Sequence, residues 1–271
     1  MKLGMSSASF FPNLHTEDTL EEIASLGIDT CEVFFETRSQ YCEEYANIMK
    51  DKLKRANEIH KLEIHSAHSM TNQFEPDLFS QGERARADGE EIYRNFLATC
   101  KSLDIKYQTF HGATILKRAV KYTHDYEKLS TRVNYLVDLA KSYGVKLCYE
   151  NVHWTYFHEP EYFEKLKPYC PDLGSVLDIK QAMQSGIDYK DYLKVMGNTL
   201  ETVHLCDYNI DGTTAIPGKG SFDFVELFKR LQDIGYDGPC LLEVYSKNYK
   251  DIDELKESYN YLEACLDKSK K

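Results

Sequence analysis

Six side chains able to do chemistry stand within or at the end of short apolar runs of this 271-residue chain. They are His68 in IHSAHS, His111 in TFHGA, Glu150 in CYEN, Asp178 in VLDI, His204 in TVHLCD and Glu243 in LLEVY. Burying a carboxylate or an imidazole among Leu, Val and Cys is costly unless it is paired or bound to a metal. Glu150, Asp178, His204 and Glu243 together offer three carboxylates and one imidazole. That donor set suits one divalent ion of hard to borderline character, with Mn²⁺ favoured and Mg²⁺, Co²⁺ or Zn²⁺ also fitting. The four runs contain no Arg and only one Lys, Lys146, at the far end of its run from Glu150. A buried salt-bridge network would therefore lack its cations, and three facing carboxylates repel one another unless an ion lies between them.

For these residues to converge, the runs that carry them must be neighbours. Short β-rich runs fall at Lys2–Ser9, Thr30–Glu36, Leu62–His68, Tyr107–Ala113, Lys146–Asn151, Gly174–Ile179, Thr202–Asp207 and Cys240–Tyr245. Between them, apolar residues recur at helical spacings of three and four: Ile92, Phe96, Cys100 and Leu103; Leu129, Val133, Leu136 and Ala140; Phe224, Leu227, Leu231 and Ile234. Gly27, Gly144 and Gly235 each stand where a helix ends and the next β-prone run begins, the place for a positive-φ cap. Successive runs start 28 to 45 residues apart, room for a helix and a parallel crossover. The first run leads into SSASF rather than a Gly-rich phosphate loop, which disfavours an open dinucleotide-binding sheet. The fold class expected is α/β, a (β/α)8 TIM barrel forming a single domain over residues 1–271. Such a barrel sets its chemistry at the carboxyl ends of its strands, and the six residues end six consecutive runs.

Charge narrows the partners. With 33 basic against 44 acidic residues the formal charge is −11, so no nucleic acid and no anionic membrane is expected as a partner. No stretch exceeds three consecutive apolar residues, which excludes a membrane-spanning helix, and MKLGMSSASF lacks a signal-peptide core. A cytoplasmic location is expected; a homo-oligomer is compatible. The eight cysteines are scattered, without C-x-x-C spacing, and read as buried thiols filling the core.

With the strand-end residues in place, the chain resembles the xylose isomerase-like TIM-barrel superfamily, which unites sugar isomerases and epimerases with endonuclease IV. The resemblance spans nearly the whole chain and rests on those residues, on GIDTCEVFF, and on PGKGSFDF followed by GYDGPCLLEVY. It implies that Glu150, Asp178, His204 and Glu243 are the metal ligands, and that His68 and His111 face inward from the third and fourth strands. The departures set limits. Many relatives carry a His three residues after the sixth-strand Asp, where this chain has Gln181. The Asp-x-His pair of endonuclease IV is missing after His204, so a trinuclear zinc centre lacks ligands. The Glu and Arg that ketulose 3-epimerases place six residues after the strand-five and strand-seven ligands are Tyr156 and Ile210.

The chemistry expected is proton transfer next to a metal-polarised carbonyl. Two carboxylates flanking a bound hydroxy-carbonyl, Glu150 and Glu243, exchange protons with the carbon between them through a metal-stabilised enediolate. The reading is a metal-dependent sugar, sugar-phosphate or polyol isomerase or epimerase. Its alternatives are a keto-polyol dehydratase of the same superfamily and a non-catalytic, metal-containing sugar-binding barrel. An endonuclease ranks below both. His68, His111, Trp154, Gln181 and Lys219 are the expected substrate contacts. Phe10, Phe11, His153, Tyr156 and Phe157 are further candidate walls.

Overall fold

In a computed structural model that describes residues 1–115 and 123–271, eight parallel strands close on themselves. They are β1 (Lys2–Ser6), β2 (Thr30–Phe35), β3 (Glu63–Ser69), β4 (Tyr107–Phe110), β5 (Lys146–Glu150), β6 (Gly174–Asp178), β7 (Leu200–Leu205) and β10 (Pro239–Leu242). The short strands β8 (Asp207–Tyr208) and β9 (Thr214–Ala215) form an antiparallel hairpin between β7 and β10. Around the ring the order is β1, β10, β7, β6, β5, β4, β3, β2, so the last strand pairs with the first and no edge is left open. The architecture is the expected (β/α)8 barrel.

Ten helices are described: α1 (Thr16–Ser25), α2 (Glu43–Ile59), α3 (Glu75–Leu78), α4 (Glu83–Ser102), α5 (Tyr126–Ser142), α6 (Pro160–Leu166), α7 (Ile179–Ser185), α8 (Tyr189–Met196), α9 (Phe224–Asp233) and α10 (Ile252–Ser269). Their apolar stripes bury as the spacing predicts, Phe96 and Cys100 on α4 and Val133, Leu136 and Ala140 on α5. Ile234 departs from its stripe: it lies just past the end of α9 and is exposed. Gly27, Gly144 and Gly235 all have positive φ just beyond α1, α5 and α9. No described helix is long and apolar enough to cross a membrane. Seven cysteines are buried thiols as expected, while Cys42, which caps α2, is exposed.

Each expected run contains a strand, but several strands stop short of the predicted carboxyl end. The first stops at Ser6 and coils through Ser7–Phe10, the fourth stops at Phe110, and the eighth stops at Leu242. Side chains replace the lost ladder. Ser9 Oγ donates to the Leu242 carbonyl at 3.2 Å and accepts from the Val244 amide at 3.2 Å. The Glu243 amide donates to Leu205 at 2.9 Å. Glu243 is thus pinned from both neighbouring strands although it lies one residue past β10. The amide of Asp178 donates to Asn151 Oδ1 at 2.8 Å and Asn151 Nδ2 donates to the Asp178 carbonyl at 2.9 Å, locking the end of β6 to the end of β5.

Candidate metal centre at the carboxyl end of the barrel

Glu150 ends β5, Asp178 ends β6 and pairs in register with His204 on β7, and Leu241, two residues before Glu243, pairs with His204 on its other side. All four side chains are buried. His204 Nδ1 lies 2.9 Å from Glu150 Oε1, 3.4 Å from Glu243 Oε2 and 3.9 Å from Asp178 Oδ2. One ligand atom each from Glu150, Asp178 and His204 falls within a 4.8 Å cluster. The other Asp178 oxygen, Oδ1, accepts from the Gln181 amide at 2.8 Å and caps α7. That bond fixes the carboxylate plane and leaves Oδ2 turned toward His204.

Three residues absent from the sequence reading complete the cluster. Glu32 on β2 is fully buried; Ser66 Oγ and Thr109 Oγ1 donate to its Oε2 at 2.7 and 2.6 Å. Its Oε1 sits 3.1 Å from His204 Nε2 and 3.7 Å from His68 Nδ1. Burial pushes its carboxyl up, but His204 and His68 outweigh this and bring it down to about 2. Glu32 thus faces the Nε2 side of His204, and Nδ1 faces the other three carboxylates. Glu75, at the start of α3, accepts from the amides of His111 and Gly112 at 2.8 and 2.9 Å and lies 3.2 Å from His111 Nδ1. Gly112 has a φ of +78°, and a Cβ there would meet Tyr149 Oη at 2.3 Å, so a side chain is barred on both grounds.

The third is Lys180, which corrects the expectation of uncompensated carboxylates. Its Nζ donates to Glu243 Oε1 at 3.2 Å, lies 3.6 Å from Asp178 Oδ2 and sits over the Tyr245 ring at 4.8 Å. Burial acts against its charge, yet Asp178 and Glu243 outweigh this and raise it well above the ordinary lysine value. It escaped the sequence reading because it stands in the first turn of α7, outside the strand runs. The signal was there in Asp178-Ile-Lys180, a cation two residues past a strand-end carboxylate.

The donor set fits a divalent ion. Glu243 Oε2 is buried without a hydrogen-bond partner, and so are Glu32 Oε1, His204 Nε2 and His68 Nδ1 on the other side of the imidazole, where ligand atoms of Glu32, His204 and Glu243 also fall within 4.8 Å of one another. Burial pushes the Glu150 carboxyl up to about 7 despite His204 and His111 beside it. Burial lowers His204, but Glu243 and Glu32 outweigh it and raise His204 well above its ordinary value. A cluster with this demand for positive charge offers a divalent ion what it needs, and binding would displace the imidazole proton.

His68 and His111 lie on the rim of this cluster. Burial, then the charge of His111, lowers His68 to about 4, whereas Glu75 overcomes burial and raises His111 to about 9. His111 Nε2 lies 2.9 Å from His68 Nε2 and 3.4 Å from Glu150 Oε2. Ligand atoms of His68, His111 and Glu150 also fall within 4.8 Å of one another, but the two imidazoles are bonded to each other. Trp154 is half-buried and stacks on His111, rings 5.9 Å apart. Trp154 also lines a cavity of about 710 Å³ together with His124, Tyr126, His153 and Tyr156. Gln181 faces His153 Nδ1 at 2.6 Å and orients that loop rather than facing the carboxylates.

Lys219 is not brought to the site, contrary to expectation: it is exposed and lies 3.9 Å from Glu257 of α10. The buried carboxylate of Asp207 is the cause, since it accepts from the amides on both sides, Gly218 and Gly220, each at 3.0 Å, and so sets the turn that carries Lys219. Phe10 and Phe157 are core residues rather than walls. Phe11 packs edge-on against Phe34, which in turn contacts His68.

Comparison with known proteins agrees with this fold. The chain is 27% identical to an uncharacterized protein of Methanocaldococcus jannaschii, over 99% of this chain and 92% of that one. It is 23% identical to the D-psicose 3-epimerase of Agrobacterium fabrum, over 84% of this chain and 78% of the enzyme. It is 28% identical to the inosose dehydratase of Clostridium perfringens over a shorter stretch, 44% of this chain and 47% of that enzyme. Among solved structures, the IolI protein with a bound zinc atom shares the fold at a TM-score of 0.79 and 19% identity, covering 99% of both chains. The family model described as a xylose isomerase-like TIM barrel matches residues 20–265, nearly the full length of the barrel, and the chain belongs to that family.

Proposed function

We propose that this protein is a divalent-metal-dependent isomerase or epimerase of a sugar, sugar phosphate or polyol. The observation that carries the reading is the convergence of Glu150, Asp178 and Glu243 on the Nδ1 edge of His204. One ion held by these four residues, with Mn²⁺ favoured, would supply Lewis-acid polarisation of the substrate's hydroxyl and carbonyl oxygens and so ease loss of a proton from the carbon beside them. The protein's own part is to move that proton. Glu150 and Glu243 come from β5 and β10, three places apart around the ring, and so stand on different sides of a molecule seated at the centre. One carboxylate takes the proton. The other returns one, to the opposite face in an epimerase or to the neighbouring carbon in an isomerase. His111, oriented by Glu75 at Nδ1 and paired with His68 at Nε2, borders the same space, and Trp154 stacks against it. The similarity to a D-psicose 3-epimerase supports the reading. The similarity to an inosose dehydratase favours a second one, a keto-polyol dehydratase that opens with the same proton abstraction.

Incubation with a ketose panel and Mn²⁺ in heavy water tests the proposal. The expected result is solvent deuterium on the carbon next to the carbonyl, together with an epimeric or isomeric product. Release of water with an unsaturated or deoxy product identifies the dehydratase. Tight binding of a sugar without deuterium uptake would leave only a binding barrel.

A further inference from the structure

We infer that Lys180 is a built-in counter-charge of the metal centre, restraining Glu243 and weakening the hold on the divalent ion. The inference rests on the metal-dependent reading above and goes beyond it. Three carboxylates face the Nδ1 side of His204, and the buried Lys180 ammonium bonds one of them. With the buried Glu32 on the other side of His204, four carboxylates stand against one ammonium, and Lys180 cancels one unit of the charge that draws a divalent ion in. Without Lys180 the same centre would be one unit more negative and would bind the ion more tightly.

The geometry also divides the two oxygens of Glu243. Lys180 occupies Oε1 at 3.2 Å, while Oε2 is buried, lacks a hydrogen-bond partner and faces His204. Glu243 therefore has one oxygen to offer an ion, and its second is held by a fixed charge. Lys180 itself is fastened in place. Its stem leaves the first turn of α7, next to Asp178, and its head lies over Tyr245, two residues past Glu243. It joins the residues after β6 to those after β10 and acts through Glu243; it is a positioning residue, not one that meets the reacting carbon. For the reaction, a centre made one unit less negative by Lys180 more readily bears the negative charge that a substrate oxygen gains when its neighbouring carbon loses a proton.

The test is Mn²⁺ titration of chelator-treated protein at pH 8, comparing wild type with Lys180→Gln, Lys180→Met and Lys180→Arg. The neutral variants are expected to bind Mn²⁺ at least about tenfold more tightly. They should also turn over substrate more slowly and lose thermal stability when metal-free, a loss that Mn²⁺ reverses. Lys180→Arg, which keeps the charge, should stay close to the wild-type affinity. A role in packing alone predicts weaker binding in every variant. Folded neutral variants that bind Mn²⁺ no more tightly than wild type would overturn the inference. If they fold only when refolded with Mn²⁺, the ion is supplying the missing charge and the inference stands. If Mn²⁺ does not recover them either, Lys180 is needed for folding itself and the inference fails. Absence of divalent-ion binding by the wild type is a separate outcome: it removes the metal-dependent reading and this inference with it.

Discussion

Glu150 and Glu243 carry two duties in the proposed chemistry, ligand and proton carrier, whereas Asp178 and His204 carry one. The split follows from placement around the ring, where Glu150 and Glu243 come from strands three places apart, while His204 is clamped between Glu32 and the three carboxylates. Substituting Asp178→Asn or His204→Ala should lower metal occupancy, with activity partly restored by excess metal. Glu150→Gln and Glu243→Gln keep a carbonyl oxygen for an ion but cannot accept a proton at neutral pH. These two should stay inactive in saturating metal, slower by about 10²–10⁴-fold from lost acid–base chemistry alone. Steady-state rates measured beside metal content check both halves. Near-normal turnover in both Gln variants once metal is restored would move the proton-carrying role elsewhere, His111 being the nearest candidate.

At the scale of elements, the segment from β7 to α9 shows how a single buried carboxylate builds a loop. Asp207 accepts four backbone amides: Tyr208 and Phe222 at 2.8 and 2.9 Å on Oδ1, Gly218 and Gly220 at 3.0 Å each on Oδ2. The approach is so close that a Cβ on Gly220 would meet Asp207 Oδ1 at 2.3 Å. PGKG is therefore a device for wrapping backbone around Asp207, not a substrate clasp. Asp207→Asn turns an amide NH₂ against two of those N–H groups and should cost about 2–3 kcal/mol. For a chain of this size that is a fall in Tm of roughly 5 °C or more, readable by calorimetry. Metal content should stay at the wild-type level, since Asp207 does not touch the four candidate ligands.

For the molecule as a whole, ring closure turns six strand ends into one concave site, and the charge of that site fixes how many ions it needs. Elemental analysis of purified protein should find one divalent ion per chain. Chelation should lower Tm by several degrees, since an ion at a hundred times its Kd adds about 2.7 kcal/mol to folded-state stability. A second equivalent, lost on His68→Ala or His111→Ala, would mean that the two imidazoles have parted to hold an ion with Glu150. The formal charge of −11 acts at the same scale, disfavouring polyanions while leaving small neutral or singly charged sugars unhindered.

The barrel and four of its central residues were legible in the sequence because they rest on local physics. Strand and helix periodicities, glycines past helix ends, and carboxylates set in apolar runs are each visible within a few residues of chain. What the sequence could not show depends on closure and on side-chain reach. Glu32 meets His204 only because β2 and β7, three places apart around the ring, face each other across its interior. Glu75 reaches His111 from a helix 36 residues earlier in the chain, and Lys180 reaches Glu243 across 63 residues. Lys219, by contrast, sits in a motif that looks like a loop made for anions, and the turn set by Asp207 carries it to the surface instead. Sequence alone determined which strand ends carry carboxylates and imidazoles. Only the tertiary structure decided which charges those ends must share, because a buried charge is balanced by whatever lies nearest in space, however distant in the chain.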